Sequence, residues 1–87
     1  MISEPRPEFW ELYNRLPKTA RAQAKKAYTL FLKNPAHPSL RFKPLKIDSS
    51  IWSVRIGLHY RAVGARVGDL IQWFWNGSHA DFDREFS

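Results

Sequence analysis

The stretch from Ile51 to His79, IWSVRIGLHYRAVGARVGDLIQWFWNGSH, leaves this chain few ways to fold. β-Branched and aromatic residues dominate it, and Gly57, Gly64, Gly68 and Gly77 punctuate it, which is the pattern of a three-stranded antiparallel meander. In the first strand Trp52, Val54 and Ile56 alternate with Ser53, Arg55 and Gly57, so one face is predicted to be buried. The second strand is expected from Tyr60 to Val67, with Tyr60 and Ala62 on one face and Arg61 and Val63 on the other. Val67, Gly68 and Asp69 then supply a turn. In the third strand, Leu70 to Asn76, Ile71, Trp73 and Trp75 alternate with Leu70 and Phe74, as in a central strand covered on both sides. Helices form one cover; a loop, the C-terminal tail and a bound partner all remain open as the other. Trp73, Phe74 and Trp75 also fit a base-stacking platform, although core packing is the expected use.

Ahead of the meander the period changes. Pro7 and Glu8 suit a first helical turn, and Phe9, Leu12, Tyr13 and Leu16 follow at the spacing of one apolar face, predicting a helix from Pro7 to Leu16. Pro17 ends it. A second helix is expected from Lys18 or Thr19 to Asn34, with Ala20, Ala24, Ala27, Tyr28 and Phe31 as its apolar stripe. Pro35, Pro38 and Pro44 in PAHPSLRFKPL favour an ordered loop leading to a short edge strand near Arg41 to Leu45, and His37 reads as a surface residue within it. ADFDREF suggests a short C-terminal helix; Asp81 or Asp83 could orient His79, but both are expected as caps or surface residues. With helices followed by strands and no linker or repeat, residues 1–87 read as one α+β domain. Two N-terminal helices are predicted to pack on a small antiparallel sheet, followed by a short helix or tail.

Charge narrows the partners. Fourteen Lys plus Arg against eight Asp plus Glu give a formal charge of +6. No acidic residue occurs from Leu12 to Ile47, whereas Arg15, Lys18, Arg21, Lys25, Lys26, Lys33, Arg41, Lys43 and Lys46 all fall there. A polyanion or an acidic protein suits such a surface; lysines beside an edge strand also discourage stray sheet pairing. The absence of cysteine excludes disulfides, thiolate catalysis and cysteine-ligated zinc, and three scattered histidines do not suggest another metal site, so no cofactor is expected. MISEPRPEF has neither the basic start nor the apolar block of a signal peptide, and a cytoplasmic location is expected.

Antiparallel pairing of the meander gathers Arg55, His59, Arg61 and His79 towards one end of the sheet. A histidine can move a proton near neutral pH, and a guanidinium matches phosphate oxygens with a planar fork of donors.

The order of two helices, then KPLK, WSVRIG, HYRAVG and WFWNGSHADFD, resembles the RelE/ParE superfamily of toxins from bacterial toxin–antitoxin pairs over nearly the whole chain. In the RelE-like branch the resemblance implies a protein that enters the ribosomal A site and cuts mRNA without a metal; in the ParE-like branch the same fold targets DNA gyrase. The RelE-like branch is the favoured reading, with a binding member lacking activity as a third. Arg61 matches the arginine near the scissile phosphate, Arg55 one that supports the site or meets the antitoxin, and His79 a position holding a histidine or arginine in related nucleases. Lys43 and Lys46 fall where some members contact RNA; Arg41 and Lys25 from the basic run join them as candidate phosphate contacts. The departure is Phe82, where several members carry a catalytic tyrosine. Its lack of a hydroxyl shifts proton transfer to His79 and, second, to His59. A cognate antitoxin with an acidic, amphipathic segment is the implied protein partner.

Overall fold

Prolines mark the boundaries of the first half. Pro7 opens helix α1 (Pro7–Asn14), where a missing N–H costs no hydrogen bond. The helix is shorter than its apolar spacing suggested. Arg15 N–H donates to Leu12 O (3.1 Å) and Leu16 N–H to Tyr13 O (3.0 Å), a tightened exit that leaves Leu16 outside the helix but still buried. Pro17 directly precedes α2 (Lys18–Lys33), which buries Ala20, Ala24 and Phe31. Beyond it, His37 Nδ1 accepts from Ser39 N–H (3.2 Å) and so caps a single 3₁₀ turn at Pro38–Leu40, a local role for this histidine.

The computed structural model describes residues 1–86. Its strands β1 (Ile2–Pro5), β2 (Lys43–Pro44), β3 (Ile51–Ile56), β4 (Tyr60–Val67) and β5 (Leu70–Ser78) form one sheet in the order β1-β5-β4-β3-β2. The meander occupies β3 to β5 as anticipated. Gly68, at φ +59°, takes the first central position of the two-residue β4–β5 turn, the conformation a type II′ hairpin demands. One pairing departs from the expected antiparallel sheet: β1 runs parallel to β5, with Ser3 beside Ile71 and Pro5 beside Trp73. Pro5 is tolerated because β1 is an edge strand. Trp73 Nε1–H donates to Ser3 Oγ at 2.8 Å and ties the new edge to the core.

The sheet carries a helix layer on each face. Under α1 and α2 the core joins Tyr13, Leu16, Ala20, Ala24, Phe31 and Leu40 to Val54, Ile56, Ala62, Ile71 and Trp73. The opposite, outer face is covered by α3 (His79–Phe86), which settles what the second cover is. Ser78 Oγ caps α3 by accepting Asp81 N–H at 3.1 Å.

The alternation predicted for β5 breaks in the middle. Val63 pairs with Trp75 but the next residue, Gly64, pairs with Trp73, so Phe74 is an extra residue in a β-bulge. Trp73 therefore points into the main core, 5.4 Å from Phe31, whereas Trp75 turns to the outer face and meets Phe82 (6.3 Å) and Phe86 (5.2 Å). Trp73 and Trp75 do not share a face, and the WFW run packs two cores. Among the described residues no helix is long and apolar enough to cross a membrane.

Candidate active site

The outer face presents a cationic cluster beside α3. Arg55 and Arg61 are direct cross-strand partners on β3 and β4, and Gly77 of β5 pairs with Arg61. A side chain at Gly77 would strike the Trp75 ring, its Cβ 2.8 Å from the indole, so glycine lets Trp75 fold back beside Arg61. Arg61 Nε–H donates to His79 Nδ1 at 3.0 Å. The join is made at the backbone too, where His79 N–H donates to His59 O at 2.7 Å and locks the start of α3 onto the β3–β4 turn. Phe82 lies 5.2 Å from the Arg61 guanidinium and stacks on the His79 ring at 6.2 Å with 19° between planes. It is 9% exposed and packs as an apolar floor beneath both polar groups.

Electrostatics mark the same spot. Partial burial, followed by the charge of Arg55, pushes the Arg61 guanidinium below its usual range; Asp83 pulls the other way and Arg41 adds a further push. Arg61 remains cationic, and a ligand that brings negative charge relieves the crowding. Arg41 reaches this neighbourhood from a left-handed backbone, φ 46°, just after the 3₁₀ turn, a strained setting for a residue with a Cβ. Arg55 Nε–H is held by Gly57 O at 3.0 Å, at the lip of a groove lined also by Gln23, Lys26, Ser39 and Leu58.

Arg61, His79 and Arg55 are thus brought together, and Arg41 acts on Arg61 only through its charge. Lys43 lies on the exposed edge strand opposite Ser53, two residues along from Arg55 on the same face of the sheet. Lys46 lies past the end of that strand in an exposed bend, towards the opposite end from His79. The His59 imidazole is exposed at the hairpin tip, and only its main chain is joined to His79 by the contacts above. Lys25 stands across the sheet. It borders an apolar cleft of about 130 Å³ between α1 and α2, walled by Phe9, Trp10, Tyr13, Tyr28 and Phe31.

Of the two aspartates weighed as orienting His79, Asp83 makes the contact, beyond the capping or surface role expected of it; Arg66 acquires one that its type and spacing did not single out. Asp83 Oδ2 lies 3.6 Å from His79 Nε2, one helical turn away, whereas Asp81 pairs with Arg84. The i, i+4 spacing from His79 was the available signal. Arg66 places its guanidinium 4.4 Å over Trp52 on the core side, a packing role. Among the described residues no three metal-ligating side chains converge.

Comparison with known proteins gives a family and a fold. The ParE-like toxin domain family matches residues 18–84. No curated protein sequence matches. Among solved structures, the chain is similar to YafQ from E. coli strain BL21(DE3), at 15% identity and TM-score 0.71 over 92% of this chain and 94% of that one. It is similar to a chain of the RelB-RelE antitoxin-toxin complex from Methanococcus jannaschii, at 16% identity and TM-score 0.75 over 97% and 99%. The isolated E. coli RelE toxin gives 16% identity and TM-score 0.66 over 88% and 82%. At such identities these likenesses establish the shared fold.

Proposed function

Because the chain belongs to the ParE-like toxin domain family, within the RelE/ParE superfamily of toxins, we propose that it acts as a metal-independent endoribonuclease on ribosome-bound mRNA. The observation that carries this reading is the 3.0 Å contact between Arg61 and His79 inside a cluster of guanidinium groups. Cleavage without a metal needs a base for the ribose 2′-hydroxyl, positive charge around the phosphorus as the 2′-oxygen attacks, and a proton for the departing 5′-oxygen. Arg61 supplies charge and planar donors to the phosphate, with Arg55 and Arg41 beside it. His79 Nδ1 is the base once the phosphate draws Arg61 Nε–H away. His59, exposed at the same end, is the candidate donor to the leaving oxygen. Lys43 carries the strand onward, and Lys46 contacts it further along.

The test is cleavage of translated mRNA on ribosomes by purified protein, with Arg61→Ala and His79→Ala each lowering the rate at least about a hundredfold. Intact cleavage by either variant overturns the assignment.

A second reading rests on the family description, ParE-like, and on Phe82, whose ring offers no hydroxyl. On this reading the protein inhibits DNA gyrase by binding, and a supercoiling assay separates the two activities.

Either way the partner is a cognate antitoxin in the cytoplasm, as the RelB-RelE complex pairs toxin and antitoxin. The α1–α2 cleft, apolar inside and bordered by Lys25, suits an amphipathic acidic segment. Lys25 then serves the partner, on the face opposite the cluster.

A further inference from the structure

The hydrogen bond between Arg61 and His79 fixes more than a distance. An arginine side chain keeps its protons and has no acceptor, so the Arg61 Nε–H needs a lone pair at His79 Nδ1. A neutral imidazole that accepts at Nδ1 carries its single proton on Nε2. Nε2 is the nitrogen that faces Asp83 Oδ2, at 3.6 Å. An ionised carboxylate only accepts, so it favours the tautomer with the proton on its side of the ring.

We propose that Asp83 is a positioning residue: its carboxylate holds His79 in the Nε2–H tautomer, so that the Nδ1 lone pair is presented to Arg61 and, after Arg61 turns to a phosphodiester, to the ribose hydroxyl. The second half rests on the ribonuclease reading given above; the first half does not.

While Arg61 donates to Nδ1, it and Asp83 favour the same tautomer from opposite sides of the ring; once Arg61 turns to the phosphodiester, the task falls to Asp83. From β4 the ring meets Arg61, and Arg55 and Arg41 add positive charge about that arginine, with Asp83 acting against them. From α3, Phe82 holds the ring plane by stacking but has no polar atom with which to choose a tautomer. Asp81 is turned to Arg84. The α3 start itself is pinned by His59 O and Ser78 Oγ, neither of which depends on the Asp83 side chain. Removing that carboxylate therefore leaves both of these fastenings of α3 in place.

In the free protein this arrangement also masks the base. The lone pair that would take the 2′-hydroxyl proton is occupied by Arg61, and the ligand that frees it is an anion able to compete for the same Nε–H. Binding of the phosphodiester and exposure of the base become one event.

The experiment is a long-range ¹⁵N–¹H correlation spectrum of the histidine side chains at mildly alkaline pH, on full-length protein without RNA. Wild type is expected to show His79 as Nε2–H alone; in an Arg61→Ala background, where the guanidinium no longer selects the tautomer, Asp83 is expected to keep Nε2–H, Asp83→Ala to give a mixture with Nδ1–H, and Asp83→Glu to restore Nε2–H. An Nδ1–H ring in wild type, or a tautomer unchanged by Asp83→Ala in the Arg61→Ala background, overturns the proposal. On translated mRNA, Asp83→Ala is expected to lower kcat roughly ten- to hundredfold with KM unchanged, and Asp83→Glu to recover it. A loss confined to KM overturns the positioning role. If the tautomer responds as expected but wild type cuts no RNA, the tautomer assignment stands and the ribonuclease reading falls.

Discussion

Arg55 and Arg61 stand directly opposite each other on neighbouring strands, two like charges on one face of the sheet. Such a pair costs stability unless an anion sits between the groups. Burial and Arg55 together push the Arg61 guanidinium below its usual range. On the ribonuclease reading proposed above, a phosphate would relieve this crowding.

Replacing one partner should separate folding from binding. Arg55→Gln is expected to raise stability by about 0.5 kcal/mol through relief of repulsion. It should at the same time weaken single-stranded RNA binding and reduce the slope of log K against log salt by about 0.7, one phosphate contact's worth. Urea denaturation and a salt titration of RNA affinity check the two halves.

Phe82 stands where, by the resemblance, several members of the superfamily carry a tyrosine. Because its ring is buried between Arg61, His79 and Trp75, Phe82→Ala should cost about 3 kcal/mol, read from the urea midpoint. Phe82→Tyr is expected to leave mRNA cleavage unimproved, since its ring would remain packed as the floor of the site. A faster Phe82→Tyr enzyme would show that a hydroxyl there reaches the substrate.

Ser3 gives a test of the N-terminal edge strand. Trp73 is 3% exposed, and its indole N–H donates to Ser3 Oγ. Ser3→Ala leaves a buried donor without this acceptor and should cost about 1–2 kcal/mol in denaturant unfolding. A cost near zero would mean that water replaces the hydroxyl.

Asp48 supplies a pH dependence. Its carboxyl is held below the usual range, first by the Ser50 hydroxyl (2.7 Å) and then by the Ser50 backbone N–H (2.9 Å), both donating to the same oxygen. A depressed folded-state pKa contributes stability above the unfolded value, near 3.8, and the contribution is lost as pH falls through the lower folded value. The stability gap between wild type and Asp48→Ala should be full at neutral pH and close in that acidic window. Thermal unfolding across the range measures it.

Local chemistry determined much of this protein from its sequence. Apolar spacing and proline geometry set α1 and α2, alternation set β3 and β4, and Gly68 set the turn into β5, because each depends on residues within a few positions of one another. The candidate pair Arg61 and His79 was legible for a related reason: two hairpin registers suffice to bring together residues eighteen apart. Family resemblance, rather than spacing, chose them from among the other basic residues.

Tertiary structure decided what local patterns leave open. β1 exists because it finds β5, from Ser3 to Trp73 across seventy positions, and four residues ending in proline announce no strand alone. The bulge at Phe74 turned Trp75 to the outer face, since one extra residue reverses every side chain beyond it. That reversal gave α3 an apolar seat, and α3 in turn set Phe82 beneath the site and Asp83 beside His79. Lys25 and Arg61 share a charge but lie on opposite faces of the sheet, a separation that only the packing of layers could make.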